Sequence, residues 1–188
     1  SNPALTVTGN TASGSGIALA PMMVRVNTSR TKTTNDTSLE SIFNTANRAL
    51  TLAANTLYYF RGVYNLTKVA TATNAAMQVG FIFSSAQQDI QYLPLACLAT
   101  TNSAAVGNYS TVATATSIAA ASTSAAQYII NIEGWFKSNA TTGGTVIPAF
   151  TQSVAGATAP IANAGTWIMV QPMSSNINAQ IISGTWGS

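Results

Sequence analysis

Three stretches of this chain place large apolar side chains at every second residue, and that spacing constrains the fold more than any other feature. In "MQVGFIFSS", Met77, Val79, Phe81 and Phe83 share one side. In "TLYYFRGVYNL", Tyr58 and Phe60 oppose Leu57, Tyr59, Arg61 and Val63; in "QYIINIEGWF", Tyr128, Ile130, Ile132 and Phe136 oppose Ile129, Asn131, Glu133 and Trp135. Successive side chains of a strand point to opposite faces, so these are half-buried strands; an amphipathic helix would repeat at three and four residues. "TVIPAFTQ", "TWIMVQP" and "AQIISGTW" add three more short apolar segments, separated by Gly, Asn and Pro turn residues. The pattern predicts an all-β sandwich or barrel. A length of 188 residues suits one hydrophobic core plus a short arm.

The remaining texture divides the chain. Residues 1–38 are poor in large apolar side chains, with "GNTASGSG" and "NTSRTKTTNDTS" flanking the short run "IALAPMMVRV". That composition predicts an extended N-terminal arm carrying one or two strands, with the sandwich occupying 39–188. "TSLESIFNTANRAL" (Thr37 to Leu50) has the makings of a short helical turn, with Asp36 in a turn ahead of a capped start. Between Thr100 and Ala126 almost every residue is Ala, Thr or Ser, and "TVATATSI" is expected to form a thin strand with ordered loops. Cys97, the single cysteine, rules out an intrachain disulfide, and its setting in "YLPLACLATT" predicts a buried, inert thiol. No basic start with an apolar run opens the sequence, and no segment approaches a membrane span, so synthesis and folding in a cytoplasm are expected.

Charge narrows the chemistry. Charged residues make up 6% of the chain, against roughly 25% in ordinary soluble domains. With a net charge of +3, self-repulsion is weak and close protein contact costs little desolvation, which points to assembly. Arg25, Arg30, Lys32, Arg48, Arg61 and Lys68 fall in the first 68 residues and only Lys137 follows, with no basic run of the kind that phosphate binding requires. These bases read either as solvated strand ends and loops or as an N-terminal region meeting an acidic protein partner. Histidine is absent, which removes the commonest general base and metal ligand. The four carboxylates, Asp36, Glu40, Asp89 and Glu133, lie in no catalytic or metal-ligand motif, and "GSG" and "GG" lack the lysine and helix of a phosphate cradle. The expectation is a protein without enzymatic activity, cofactor or metal.

Glu133 precedes Gly134 on one strand and Arg61 precedes Gly62 on another, so neighbouring strands would bring Arg61 and Glu133 together as a cross-strand pair. "KSNATTGG" then reads as a hairpin loop whose glycines supply positive φ. Trp135 and Trp186 have rings suited to stacking on sugars, although in a β protein such aromatics more often serve the core or subunit contacts.

The succession "LTLAANTLYYFRGVYNL", "AMQVGFIF", an Ala/Thr/Ser-rich middle, "YIINIEGWFKSNATTGGTVIPAFTQS", "AGTWIMVQP" and a terminal "GTW" resembles the jelly-roll virion proteins of tailed bacteriophages. These form head decoration (cement) proteins, head fibres and tail-fibre tips. The resemblance runs from Leu50 to the C-terminus and implies a jelly-roll-like β-sandwich that assembles as a homotrimer on the virion and carries no activity. The compact size with a short basic arm implies a decoration protein on the outer capsid surface, bound to the major capsid protein, with Arg25, Arg30 and Lys32 as capsid contacts and neither nucleic acid nor membrane as a partner. The alternative is a receptor-binding fibre tip recognising host surface glycans.

Overall fold

The computed structural model describes residues 21–44, 48–87, 89–98, 106–107, 109–155 and 158–174. Among them are thirteen strands and no helix: β1 (Met22–Arg25), β2 (Arg30–Thr31), β3 (Glu40–Ser41), β4 (Leu50–Leu52), β5 (Leu57–Lys68), β6 (Met77–Phe83), β7 (Asp89–Leu98), β8 (Val106–Gly107), β9 (Thr116–Ser117), β10 (Ala126–Lys137), β11 (Gly144–Gln152), β12 (Ile161–Ala162) and β13 (Trp167–Ser174). They form two sheets. The larger runs β1-β13-β5-β10-β7-β8, with β12 joining β2 to β5; the smaller runs β3-β11-β6-β9, with β4 also on β11.

Every pairing is antiparallel, and five of them are nested: β1 with β13, β3 and β4 with β11, β5 with β10, and β6 with β9. One long hairpin rolled so that its rungs alternate between two sheets gives this order, which is the jelly-roll sandwich. β7 departs from the nest, leaving after β6 to pair with the free side of β10 and widen the large sheet.

The three alternating stretches place their faces as the sequence predicts. Tyr58, Phe60, Tyr64 and Leu66 of β5, Met77, Val79 and Phe81 of β6, and Tyr128, Ile130, Ile132 and Phe136 of β10 are all buried. Between the sheets Phe60 meets Phe81 edge-on at 4.9 Å and Tyr92 meets Phe81 at 5.3 Å, while within the large sheet Tyr58 stacks on its cross-strand partner Phe136 at 5.1 Å. Such pairs contribute about 0.5–1.5 kcal/mol each beyond their buried area. Gly134 takes the core-side position between Ile132 and Phe136, where a Cβ would lie 2.5 Å from the Cβ of Tyr92. The hairpin of "KSNATTGG" is also as predicted. Asn139 Oδ1 accepts from the amides of Thr141 and Thr142, and Gly143 and Gly144 have φ of 62° and 107°.

The N-terminal region carries the two strands expected of it, β1 and β2. Residues 1–20 lie outside the described residues, but 22–38 are woven into the sandwich: β1 edges the large sheet and β2 pairs with β12. Val26 is buried with its amide on the Thr166 carbonyl, and the Lys32 amide donates to the Pro160 carbonyl. The carbonyl of Asp36 accepts from Thr151 on β11. The helical turn expected in Thr37 to Leu50 is instead β3, followed by Ile42 and Phe43 buried in succession. The Ile42 amide bonds to the Pro148 carbonyl, so pairing with β11 takes the backbone groups a helix would have used. Residues 45–47 of that stretch lie outside the described residues.

"TVATATSI" yields only the two-residue β9 and the buried Ile118, because the preceding residues bend to bring Ser110 against Tyr92. Cys97 is not buried: Ala96 takes the core-facing position and Cys97 sits half-buried on the outward side, opposite Ile129. "AQIISGTW" lies outside the described residues from Ser175 onward.

Candidate functional site: the outward face of the large sheet

The register of the large sheet lays its outward side chains in rows. Arg61 and Glu133 stand directly opposite each other at the centre, with Leu93 beyond Glu133 and Met169 and Met23 beyond Arg61. The neighbouring row is Arg25, Trp167, Val63, Asn131 and Leu95. On the other side run Gln171, Tyr59, Trp135 and Gln91, with the Tyr109 hydroxyl donating to Gln91 Oε1 at 2.6 Å. Lys137 and Asp89 face each other at one end, and Lys137 Nζ lies 5.6 Å from the Trp135 ring centroid. The face is apolar for an exposed surface: Met23 is 67% exposed and Leu93 and Leu95 are 38% exposed. A depression of about 390 Å³ is lined by Arg61, Val63, Leu93, Leu95, Glu133 and Trp167.

The sequence placed Arg61 and Glu133 opposite each other, and so does the register, but no ion pair joins them. The Glu133 carboxylate accepts from the Tyr59 hydroxyl at 2.7 Å, the diagonal neighbour two residues before Arg61. That bond, with a smaller contribution from burial, raises the Tyr59 phenol above its ordinary pKa. Arg61 is exposed, and its guanidinium makes no hydrogen bond or ion pair among the described residues.

The three cations expected to reach a capsid separate. Arg25 is exposed. Arg30 is held inside the chain by the Glu40 carboxylate and the Ser41 carbonyl. Lys32 is buried, its ammonium donating to Asp36 Oδ1 at 2.6 Å, to the carbonyl and hydroxyl of Thr34 at 3.0 Å each, and to the Asp36 carbonyl at 3.2 Å. Arg30 and Lys32 therefore hold the 30–40 segment together, and only Arg25 of the three presents an exposed side chain. The Lys32 bond and the Ser38 amide hold the Asp36 carboxyl below the usual carboxylate range. Burial pushes Glu40 up, but the hydroxyl and amide of Thr33 and the charge of Arg30 outweigh it and leave Glu40 lowered.

Asp36 and Glu40 are thus drawn to separate cations rather than toward each other. Among the described residues no three of His, Cys, Asp and Glu are grouped as metal ligands, and no helix is long and apolar enough to cross a membrane. Trp135 is half-buried on the outward face, and Trp186 lies outside the described residues. The sequence reading missed Leu93 and Leu95. Both rows of "QYLPLACL" are apolar, so alternation alone did not mark Leu93 and Leu95 as the outward row; the structure buries Tyr92, Pro94 and Ala96 instead.

No family model matches this chain, and no curated protein matches it. Among solved structures, one titled "Structure of infectious bursal disease virus Gx strain" is similar over 81% of this chain and 36% of that one, at 11% identity and a TM-score of 0.21. A similarity at that level carries no argument about function.

Proposed function

We propose that this chain is a non-enzymatic structural protein of a tailed-bacteriophage virion: a capsid decoration protein that binds the major capsid protein on the outer head surface as a homotrimer and stabilises the head. The observation that carries the reading is the outward face of the large sheet. It is broad, exposes Leu93, Leu95 and Met23 around Arg61 and Glu133, and belongs to a sandwich whose Arg30, Lys32, Lys68, Asp36 and Glu40 are spent on internal bonds. A surface of that kind gains from burial against protein and loses little desolvation energy.

The test is to mix the purified chain with particles lacking it, sediment them, and count copies bound. Saturation at many copies in multiples of three, with greater particle stability, is the expected result. Few copies or none would refute it.

A second reading, the tip of a tail or head fibre recognising host surface glycans, is favoured by Tyr59 and Trp135, which stand side by side on the same face between Gln171 and Gln91. Aromatic faces flanked by amides and a carboxylate suit sugar rings. Binding to host polysaccharide without any capsid would select this reading.

A further inference from the structure

We infer that two copies of this chain pair through the outward faces of their large sheets, about a two-fold axis that runs along the strands between β5 and β10 and sets Arg61 of each copy on Glu133 of the other. The inference goes beyond the proposed function, which concerns the attached protein: the pair is the form of the free chain, and it opens when the same face is taken by another partner.

Area favours stacking face to face. Each copy then contributes β13, β5, β10 and β7 together, strands of 8, 12, 12 and 10 residues. At about 3.3 Å per residue and about 4.8 Å between strands, that is roughly 650 Å² from each copy before the relief of the side chains is counted. The two copies together reach about 1,300 Å², inside the range of about 1,200–2,000 Å² that stable interfaces bury. Stacking on a second sheet, with strand directions within about 30°, is also the ordinary way for a sheet face to be buried.

Charge selects the axis. A two-fold axis across the strands at the central row would set Arg61 on Arg61 and Glu133 on Glu133. An axis along the strands exchanges the two sides of the sheet instead, so that β5 lies over β10 of the second copy and β13 over its β7. Arg61 then meets Glu133, and the symmetry makes that contact twice. The Arg61 guanidinium is uncommitted within its own chain, and Glu133 is held in place by the Tyr59 hydroxyl.

The same operation matches the neighbouring residues. Beside the charges Met169 lies over Leu93; in the next row Trp167 lies over Leu95 and Val63 over Asn131; on the other side Tyr59 lies over Trp135 and Gln171 over Gln91. Apolar groups meet apolar groups, ring meets ring and amide meets amide, with Val63 on Asn131 the exception. All of these side chains are half-buried or exposed in the single chain, so pairing removes them from water. Arg25, Lys137 and Asp89 fall at the rim, where their charges stay solvated.

The experiment uses the full chain and light scattering coupled to gel filtration, with circular dichroism as the check on folding. Wild type should have the mass of two copies at micromolar concentration, and Leu95→Arg should be folded at half that mass, since Leu95 is exposed and its loss leaves the core untouched. Arg61→Glu and Glu133→Arg each set like charges together twice and should raise the Kd of the pair by about tenfold or more. An equimolar mixture of those two variants should recover association as a one-to-one heterodimer, because both contacts then join opposite charges; no ring of three copies can reach that result. A six-copy wild type that Leu95→Arg reduces to three would also support the inference, with the pair joining two trimers. A wild-type monomer or trimer, or a mass that Leu95→Arg leaves unchanged, would overturn it. Copies bound per particle test the proposed function separately: saturation in threes by a chain that is monomeric when free removes this inference alone, and a dimeric chain that binds no particle removes that reading alone.

Discussion

Tyr64 lies midway along β5 with its whole side chain in the core, and its hydroxyl has no hydrogen-bond partner among the described residues. Burial pushes the phenol far above its ordinary pKa, with a smaller contribution from Tyr92. A hydroxyl buried without a partner costs about 1–3 kcal/mol on the protein mutational scale. Tyr64→Phe removes that cost and leaves a void on the order of 10 Å³, worth about 0.2 kcal/mol at ~24 cal/mol per Å³. The expected balance is a gain of about 1 kcal/mol, or roughly 2–4 °C in Tm for a chain of this length. Tyr92→Phe is the control, because its hydroxyl is bonded to Thr116 Oγ1 at 2.9 Å and its loss should cost about 1 kcal/mol. Urea unfolding followed by tryptophan fluorescence, at equal protein concentration and with an unchanged m-value, separates the two. A Tyr64→Phe variant destabilised by about 1 kcal/mol or more would refute the reasoning and give the hydroxyl a partner, such as a buried water.

The buried Lys32 and exposed Arg25 should respond oppositely. Lys32→Ser should lose about 2 kcal/mol in chemical denaturation with its charged hydrogen bonds, whereas Arg25→Ser should stay within about 0.5 kcal/mol and weaken particle attachment in the sedimentation assay. Asp36 and Glu40 hold their protons more weakly in the folded chain, so around pH 4 the unfolded chain binds more protons. Their contribution is complete above the unfolded pKa and disappears as pH falls through the lowered folded values. Asp36→Asn should therefore flatten the stability profile between about pH 5 and pH 2, read by thermal unfolding at each pH. Gly143→Ala places a Cβ 2.2 Å from the Leu52 carbonyl oxygen at a φ of 62°, and should cost about 2 kcal/mol or more by urea titration.

What could be read in the sequence followed from local pattern. β5, β6 and β10 are long enough for period-two alternation to register, Gly143 and Gly144 mark a turn by their chemistry, and Arg61 and Glu133 align because each precedes a glycine at a matching point of its strand. What escaped was non-local. β1, β2 and β3 are two to four residues long, too short for a period, and each is defined by a partner strand far along the chain. The Thr-rich stretch around Lys32 reads as a solvated loop because its hydroxyls and carbonyls are polar. Those same groups surround the ammonium and allow it to be buried. Cys97 was placed wrongly because hydrophobicity alone does not say which side of a strand a residue faces; Tyr92, Pro94 and Ala96 take the core side, which leaves Cys97 with Leu93 and Leu95 on the outward one.

The nested pairing also imposes an order of events on folding. Tyr59 and Glu133, joined across β5 and β10, are 74 residues apart, and Asn65 bonds to Thr166 over 101 residues. Closing such loops costs chain entropy before any packing rewards it, so folding over milliseconds to seconds is expected, as for other β-sandwiches. Inner rungs close smaller loops than outer ones, which makes β7 with β10 and β6 with β9 the earliest pairs, β5 with β10 the next and β1 with β13 the last. Only when β1 docks does the large sheet acquire its complete outward face. A half-folded copy therefore lacks part of that face, and under the proposed function only a chain that has finished folding offers a partner the whole surface.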